Sequence, residues 1–248
     1  MRRIFLTTIF VSLFFVALAQ NVEQTTAPAS TPATAEVVSI PKTDWLTSFS
    51  GVKIDGHMNV TLKEVPTVEE CRITYDLKGY ESSKFKFSID RKGVLSVSEK
   101  FDPKRTTVTD VTIYYNSLRD VKIAHAKAEF KDKVENPLLD LNVSGGALVT
   151  IEVKTLDIAV ECTGTSRLTL KGEAKYLTMR ASTARVDCTQ LSSVSSIIEA
   201  SHSAEVRVSV EERLEATTST GAKLLYKGTP VIFRNHNVLF GGDIINID

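Results

Sequence analysis

Net charge is missing from this 248-residue sequence, in which 30 basic residues balance 30 acidic ones. A nucleic-acid binder would carry a basic footprint and a cation-collecting surface an acidic excess, and neither bias exists. Cysteine is scarce as well. Cys71, Cys162 and Cys188 form an odd and sparse set, whereas an exported domain held by disulfides has an even, dense one. They read as buried thiols, with a single bridge among them left open. No C-x-x-C or H-E-x-x-H occurs, so no structural zinc site and no cofactor are expected. Helical patterning is absent too: no segment keeps apolar residues at i, i+3 and i+4 over three turns.

What is present begins with an address. The opening MRRIFLTTIFVSLFFVALAQ has a basic Arg2-Arg3, an uncharged run from Ile4 to Val16, and an A-x-A site at Ala17-Leu18-Ala19. That order predicts a signal peptide over residues 1–19, cleaved before Gln20. The apolar run is short for a spanning helix and none follows it, so no transmembrane helix is expected after cleavage. No cysteine follows the cleavage position, so a lipoprotein anchor is not expected. Residues 20–42 are rich in Thr, Ala, Ser and Pro. Such a stretch buries too little apolar surface to offset its ordering entropy and predicts a disordered linker. Residues 43–248 remain, enough for one all-β domain.

The C-terminal half of that domain repeats itself. "HAKAEFKD", "SGGALVTIEV", "TGTSRLTLKG", "ASTARVDCTQ", "SHSAEVRVSV", "STGAKLLYKG" and "FGGDIINID" each place a small residue between a polar corner and alternating apolar positions. The small residue is read at Ala128, Ala147, Ser166, Ala184, Ala204, Ala222 and Gly242, 18 to 20 residues apart. A second alternating strand precedes the inner corners, in "LLDLNV", "LDIAVEC" and "YLTMRA". Two short strands per repeat, joined by tight corners, predict one coil of a parallel β-solenoid. A coil cannot bury its own apolar face, but coils stacked at about 4.8 Å share one core and satisfy each other's hydrogen bonds. The first and last segments break the pattern two residues further on, at Asp132 and Asn246, as capping repeats do. "FSGVKIDGHMNVTLKE" (Phe49–Glu64) reads as a first coil with a Gly56-His57 corner. Residues 65–119 leave the repeat. Their strands, with a hairpin signal at Asp90–Gly93, predict an antiparallel excursion covering one end or side.

At this point the sequence resembles a family. "FSGVKIDGHMNVTL", the Ser/Thr/Gly corners, and "TSTGAKLLYKGTPVI" followed by "GGDIINI" are similar to the GIN domain, a head domain assigned to autotransporter adhesins. The resemblance spans Trp45 to Asp248. It implies a right-handed parallel β-helix-like fold in an exported protein of a Bacteroidetes-type, Gram-negative bacterium, located in the periplasm or at the cell surface. It supplies no catalytic motif. Nothing in the chain looks like a translocator barrel.

Candidate chemistry is thin. His57, His125, His202 and His236 are the only histidines. His202 falls in the corner series with Gly145, Gly164, Ser182 and Thr220, and His125 aligns with the inward column of Ala181. Spacing places no Ser or Asp beside any of them, so no catalytic, cofactor-binding or metal-binding residue is assigned. A column after the small residue carries Leu148, Arg167, Arg185, Glu205, Lys223 and Asp243, and a second carries Thr150, Thr169, Asp187, Arg207 and Leu225. Stacked coils would put Arg185 beside Glu205, Asp187 beside Arg207, and Lys223 beside Glu205 and Asp243. Signs that alternate in this way read as an outward ladder that keeps the sheet soluble rather than a polysaccharide-cleaving groove, which gathers carboxylates around Ca²⁺ or poises a base. Asn59-Val-Thr61 and Asn142-Val-Ser144 match the glycosylation pattern by chance in a bacterial sequence. Tyr75, Tyr80, Tyr114 and Tyr115 read as packing residues, with no spacing that singles out a sugar platform.

The expected function is a non-enzymatic, adhesin-like binding module recognising an envelope glycan or surface protein. A carbohydrate-active β-helix enzyme and a structural module that forms a homo-oligomer through its β-helix ends are the alternatives.

Overall fold

The computed structural model describes residues 40–237 and 240–248. The signal peptide read over 1–19 and nearly all of the linker read over 20–42 lie outside the described residues. The chain begins with β1 (Lys42–Trp45), β2 (Gly51–Asp55), β3 (Met58–Glu64), β4 (Arg72–Asp76), β5 (Phe85–Ile89) and β6 (Val94–Glu99). It continues through β7 (Thr109–Tyr115), β8 (Asp120–Ala124), β9 (Lys127–Phe130), β10 (Val134–Glu135) and β11 (Leu138–Ser144). Four long strands follow, β12 (Leu148–Thr163), β13 (Arg167–Ser182), β14 (Arg185–Ser201) and β15 (Glu205–Thr218). The chain closes with β16 (Lys223–Lys227), β17 (Ile232–Asn237) and β18 (Asp243–Asn246). The result is a parallel β-solenoid of about seven turns with antiparallel strands in its N-terminal part.

Strand β12 shows how sequence makes a coil. Val149, Ile151 and Val153 point inward, as do Ile158, Val160 and Cys162, and all are buried. Between the two sets the alternation slips: Leu156 and Asp157 are adjacent and both exposed. That slip bends the strand from one face of the solenoid to the other. Thr155 is buried at the bend, and its Oγ1 donates toward the carbonyls of Pro137 (3.2 Å) and Asp157 (2.9 Å), so its hydroxyl is not stranded. Face A comprises β7, β3, β9, the first halves of β12 to β15, β16 and β18. Face B comprises β6, β2, β8, β11, the second halves of the long strands, and β17.

Inward side chains stack in columns between coils. Val149, Leu168, Val186, Val206 and Leu224 form one, each pairing with the next in register. Fully burying a side chain of this size stabilises by roughly 1.5–3 kcal/mol, and here each does so only because the next coil is in place.

The stack does not follow chain order at its N-terminal end. Lys53 in β2 pairs with Ser96 on one side and Lys122 on the other, and Thr61 in β3 pairs with Thr112 and Glu129. The coil at 51–64 is therefore flanked on both sides, and the excursion over 65–119 adds a further parallel coil, β6–β7, outside it. The antiparallel expectation is met by β4 and β5, which pair with β7 and β6, and by β1, which pairs with β4. Period-two alternation is identical in parallel and antiparallel strands, so the sequence could not separate the two sets. A buried ion pair pins this end: Arg105 Nη1 lies 2.6 Å from Glu99 Oε1, with side chains 10% and 3% exposed. Arg105 also donates to Thr109 (2.8 Å) and to the Leu77 carbonyl (3.1 Å), and its guanidinium stacks 3.9 Å from the Tyr80 ring centre. Tyr75 packs against Phe85 and Phe87, at 4.9 and 5.7 Å between centroids.

One alignment needs correcting. Leu148 pairs with Lys127 and Val149 with Ala128. The corner residue equivalent to Ala147 is thus Ala126, not Ala128, and Phe130 rather than Asp132 stands opposite Ile151. A two-residue slip keeps every side chain on its own face, so alternation gave no warning.

Candidate functional site

The corners hold three of the four histidines, all exposed. They are short turns between strands in which His125, Thr183, His202 and Thr220 take φ values of +50° to +60°. His57 follows Gly56 at the corner between β2 and β3. His125 is not inward: its side chain is 60% exposed, its Nδ1 lies 2.9 Å from Asp55 Oδ1, and its ring packs on the Gly145 backbone. Ile123 takes the inward place beside Val143. The inward reading of His125 carried the same two-residue slip as Ala128. His202 Nδ1 lies 3.1 Å from Ser201 Oγ and 3.3 Å from Ser182 Oγ. Ser182 itself pairs with Ser201 as a strand residue, so the true counterpart of His202 on the coil before is Thr183. His236 pairs with Thr217 at the end of face B. The four histidines are spread over separate coils and do not converge. Among the described residues no group of three or more His, Cys, Asp or Glu could hold a metal ion. Cys71, Cys162 and Cys188 are free and buried. Burial pushes the Cys162 thiol up to about 12 and the Cys188 thiol further in the same direction.

On face A the predicted registers hold: Arg185 pairs with Glu205, Asp187 with Arg207, and Lys223 with both Glu205 and Asp243. The side chains close differently. Arg207 turns along its own strand to Glu205, at 2.8 Å. Asp187 accepts from the backbone and hydroxyl of Thr189, at 3.0 and 2.7 Å. Burial opposes its ionisation, but those hydrogen bonds and the nearby Arg207 and Lys227 hold its carboxyl below the usual range. The two columns are solvated and mixed in sign, but among the described residues only Arg207 and Glu205 close an ion pair in them, and Arg167 stands beside Arg185.

Face B carries a row that the sequence reading did not single out. Lys122, Asn142, Glu161, Arg180 and Glu199 stand on successive coils and pair in register, continuing to Thr217 and His236. Asn142 Nδ2 donates to Glu161 Oε2 (2.7 Å), and Arg180 Nε to Glu199 Oε2 (2.9 Å). Beside the row, Ala159 and Thr178 are too small to fill their positions, and a trough opens over them with Asp120 and Asp140 at one end. Its volume is about 560 Å³, and a second depression continues it past Arg180 to Ser182, Ser201 and Thr217. The signal was available: Asn142, Glu161, Arg180 and Glu199 are spaced by nineteen residues and lie on outward positions of the second strand of each coil.

Asn59 and Asn142, the two asparagines in glycosylation-like patterns, are occupied in such ladders, Asn59 with Asp110 (2.9 Å) and Asn142 with Glu161. The tyrosines divide as packing residues should, except Tyr114, whose ring lies on the surface of face A under Arg72, 3.7 Å from the guanidinium.

A family model described as "Putative auto-transporter adhesin, head GIN domain" matches residues 48–230. The chain belongs to the GIN-domain family. Solved structures with the same architecture include a "putative adhesin" from Bacteroides fragilis, 15% identical, with a TM-score of 0.71 over 84% of this chain and 97% of that one. Similar structures come from Parabacteroides merdae, 18% identical with a TM-score of 0.63 over 85% and 96%, and Parabacteroides distasonis, 16% identical with a TM-score of 0.65 over 84% and 97%. At such identities the likeness shows the fold alone. No curated protein matches the chain. This GIN domain is therefore similar in fold to adhesin-named proteins of Bacteroides and Parabacteroides. No helix among the described residues is long and apolar enough to cross a membrane.

Proposed function

We propose that this GIN domain is a non-enzymatic binding module, exported to the periplasm or surface of a Gram-negative bacterium, that holds an extended envelope or surface component along face B. The observation that carries the reading is the trough and its row of polar side chains from Lys122 to Glu199, in register over five coils. A solenoid sets outward donors and acceptors of successive coils at the strand spacing of about 4.8 Å. An extended polymer, glycan or polypeptide, can then be gripped by many weak contacts at once. Asn142, Glu161 and Arg180 are already hydrogen-bonded within the row, so they present fixed geometry at little ordering cost.

The test is binding of the purified protein to intact cells and to isolated envelope glycans and proteins, wild type against a Glu161→Ala/Arg180→Ala double variant. Both side chains are surface groups, so the fold should persist. Saturable binding that weakens tenfold or more in the variant supports the proposal. Equal binding by the two proteins overturns the assignment to face B. A polysaccharide hydrolase or lyase activity abolished by one point substitution overturns the non-enzymatic reading.

A further inference from the structure

Strand β1 runs along the N-terminal edge of face A and carries the only tryptophan of the chain. Trp45 is 68% exposed. An indole is among the most favourable side chains to bury, and this one lies open on a surface of otherwise polar groups. From it, outward side chains on four adjacent strands form one row: Trp45, Arg72, Tyr114 and Lys63. The Arg72 guanidinium carbon lies 5.6 Å from the Trp45 ring centre and 3.7 Å from that of Tyr114. Lys63 Nζ lies 5.9 Å from the Tyr114 ring on its other side. Arg72 Nη1 donates to the Glu70 carbonyl at 3.1 Å, which fixes the guanidinium between the rings.

Among the described residues the surface cations divide into paired and unpaired ones, with Arg167 and Arg185 of face A among the unpaired. Arg180, Arg207, Arg213 and Arg234 each reach a carboxylate. Among the described residues neither Arg72 nor Lys63 forms an ion pair. Two cations without an ion pair therefore alternate with two aromatic rings along the row. Next to them runs a row of hydroxyls, Thr43, Thr74, Thr112 and Thr61, paired strand by strand, with Thr43 and Thr74 joined Oγ1 to Oγ1 at 3.0 Å.

We infer that this patch binds an acidic oligosaccharide. The C–H face of a sugar ring stacks on an aromatic plane, which Trp45 offers at the open edge. Sugar carboxylates meet Arg72 and Lys63 in charge-assisted hydrogen bonds. Ring hydroxyls meet the threonines. Three strand spacings, roughly 14 Å, separate Trp45 from Lys63, room for a short oligosaccharide laid across the strands. A neutral sugar would use the ring and the hydroxyls and leave both cations unpaired, so the patch discriminates for acid. The site shares no residue with the face B trough and stands or falls separately from it.

Because Trp45 is the sole tryptophan, its emission reports this patch alone. The probe is an oligogalacturonate, titrated against a malto-oligosaccharide of the same length. Expected are a saturable emission change with the acidic sugar only, loss of affinity as salt rises, and at least tenfold weakening in Lys63→Gln. Calorimetry on Trp45→Ala, whose exposed side chain the fold does not need, should lose binding likewise. Glu161→Ala/Arg180→Ala should titrate as wild type. No emission change up to millimolar oligogalacturonate overturns the inference. So does an equal response to the neutral sugar, or unaltered affinity in both Lys63→Gln and Trp45→Ala.

Discussion

Gly172 sits at the start of the bend that takes β13 from face A to face B, with φ at +105° and in register with Val153. A Cβ there would lie 2.0 Å from the Val153 carbonyl oxygen on the coil before. That oxygen belongs to the backbone of the stack and cannot rotate away. Two costs add in Gly172→Ala. A non-glycine residue at this φ costs about 1–3 kcal/mol, and overpacking against fixed neighbours costs about 1–3 kcal/mol more. We expect a loss of about 3–4 kcal/mol, which in a domain of this size lowers Tm by roughly 6–15 °C. Gly221 is the comparison. Its φ is +73°, but the nearest atom to an added Cβ is Ser203 Oγ at 3.7 Å, ordinary contact. Gly221→Ala should meet only the conformational cost, about 1 kcal/mol. Urea titration followed by far-UV circular dichroism, with the m-values compared, measures both. Equal losses would show that the coil-to-coil approach at Val153 gives way, and the clash argument would fail.

Four further outcomes are expected. Glu99→Ala strands the buried Arg105 guanidinium and should cost about 3–5 kcal/mol, read as a lower urea midpoint; a loss under 1 kcal/mol would mean that solvent reaches Arg105. Tyr115 Oη is buried without a hydrogen-bond partner among the described residues, so Tyr115→Phe should gain about 1 kcal/mol, and a loss would reveal a partner the fold supplies. Cys162 and Cys188 are buried with thiols pushed upward, so a thiol reagent at pH 8 should label neither until the protein unfolds; rapid native labelling would contradict their burial. Asp110 and Asp187 are held below the usual range: burial opposes this, but hydrogen bonds from Lys78 and Asn59 to the first, and from Thr189 to the second, outweigh it. Their stabilisation is present above the unfolded value of about 3.9 and is lost as pH falls through the lower folded value. Glu64, raised by burial and by Asp132 and Glu135, acts the other way and only blunts the effect. Tm should therefore hold from pH 7 to about 5 and fall below about 4; a Tm that stays level at pH 3 would remove these carboxylates from the ledger.

How legible the molecule was depended on what each residue's pattern encodes. The solenoid could be read because a buried column, such as Val149, Leu168, Val186, Val206 and Leu224, must recur wherever a coil recurs. Two things had no such signature. Parity says inward or outward but not which residue of the same parity faces which, so Ala126 and Ala128 were interchangeable in the sequence and His125 moved with them. Pairing direction is equally silent: "VLSVSE" in β6 runs parallel to β2, while "FKFSI" in β5 runs antiparallel to β6. The surface rows were half legible. The charges of face A were read in the right register, yet Arg207 chose its strand neighbour Glu205 over Asp187, a choice of rotamer rather than of register.

That last distinction bears on where recognition can reside. On face A, Arg207 finds its carboxylate on its own strand, so that pair has no direction along the stack, while among the described residues Arg167, Arg185 and Lys223 form no ion pair. Face B pairs across coils instead, Asn142 to Glu161 and Arg180 to Glu199. Its hydrogen bonds therefore run along the solenoid, parallel to anything laid in the trough. At the N-terminal edge the pairing stops: Arg72 and Lys63 face aromatic rings rather than carboxylates. An incoming acid displaces a partner at Arg207, competes along a shared row on face B, and meets cations without an ion pair at the N-terminal edge. The same repeated backbone therefore presents surfaces of different readiness to bind, decided by the side chains that its two-residue alternation leaves free to vary.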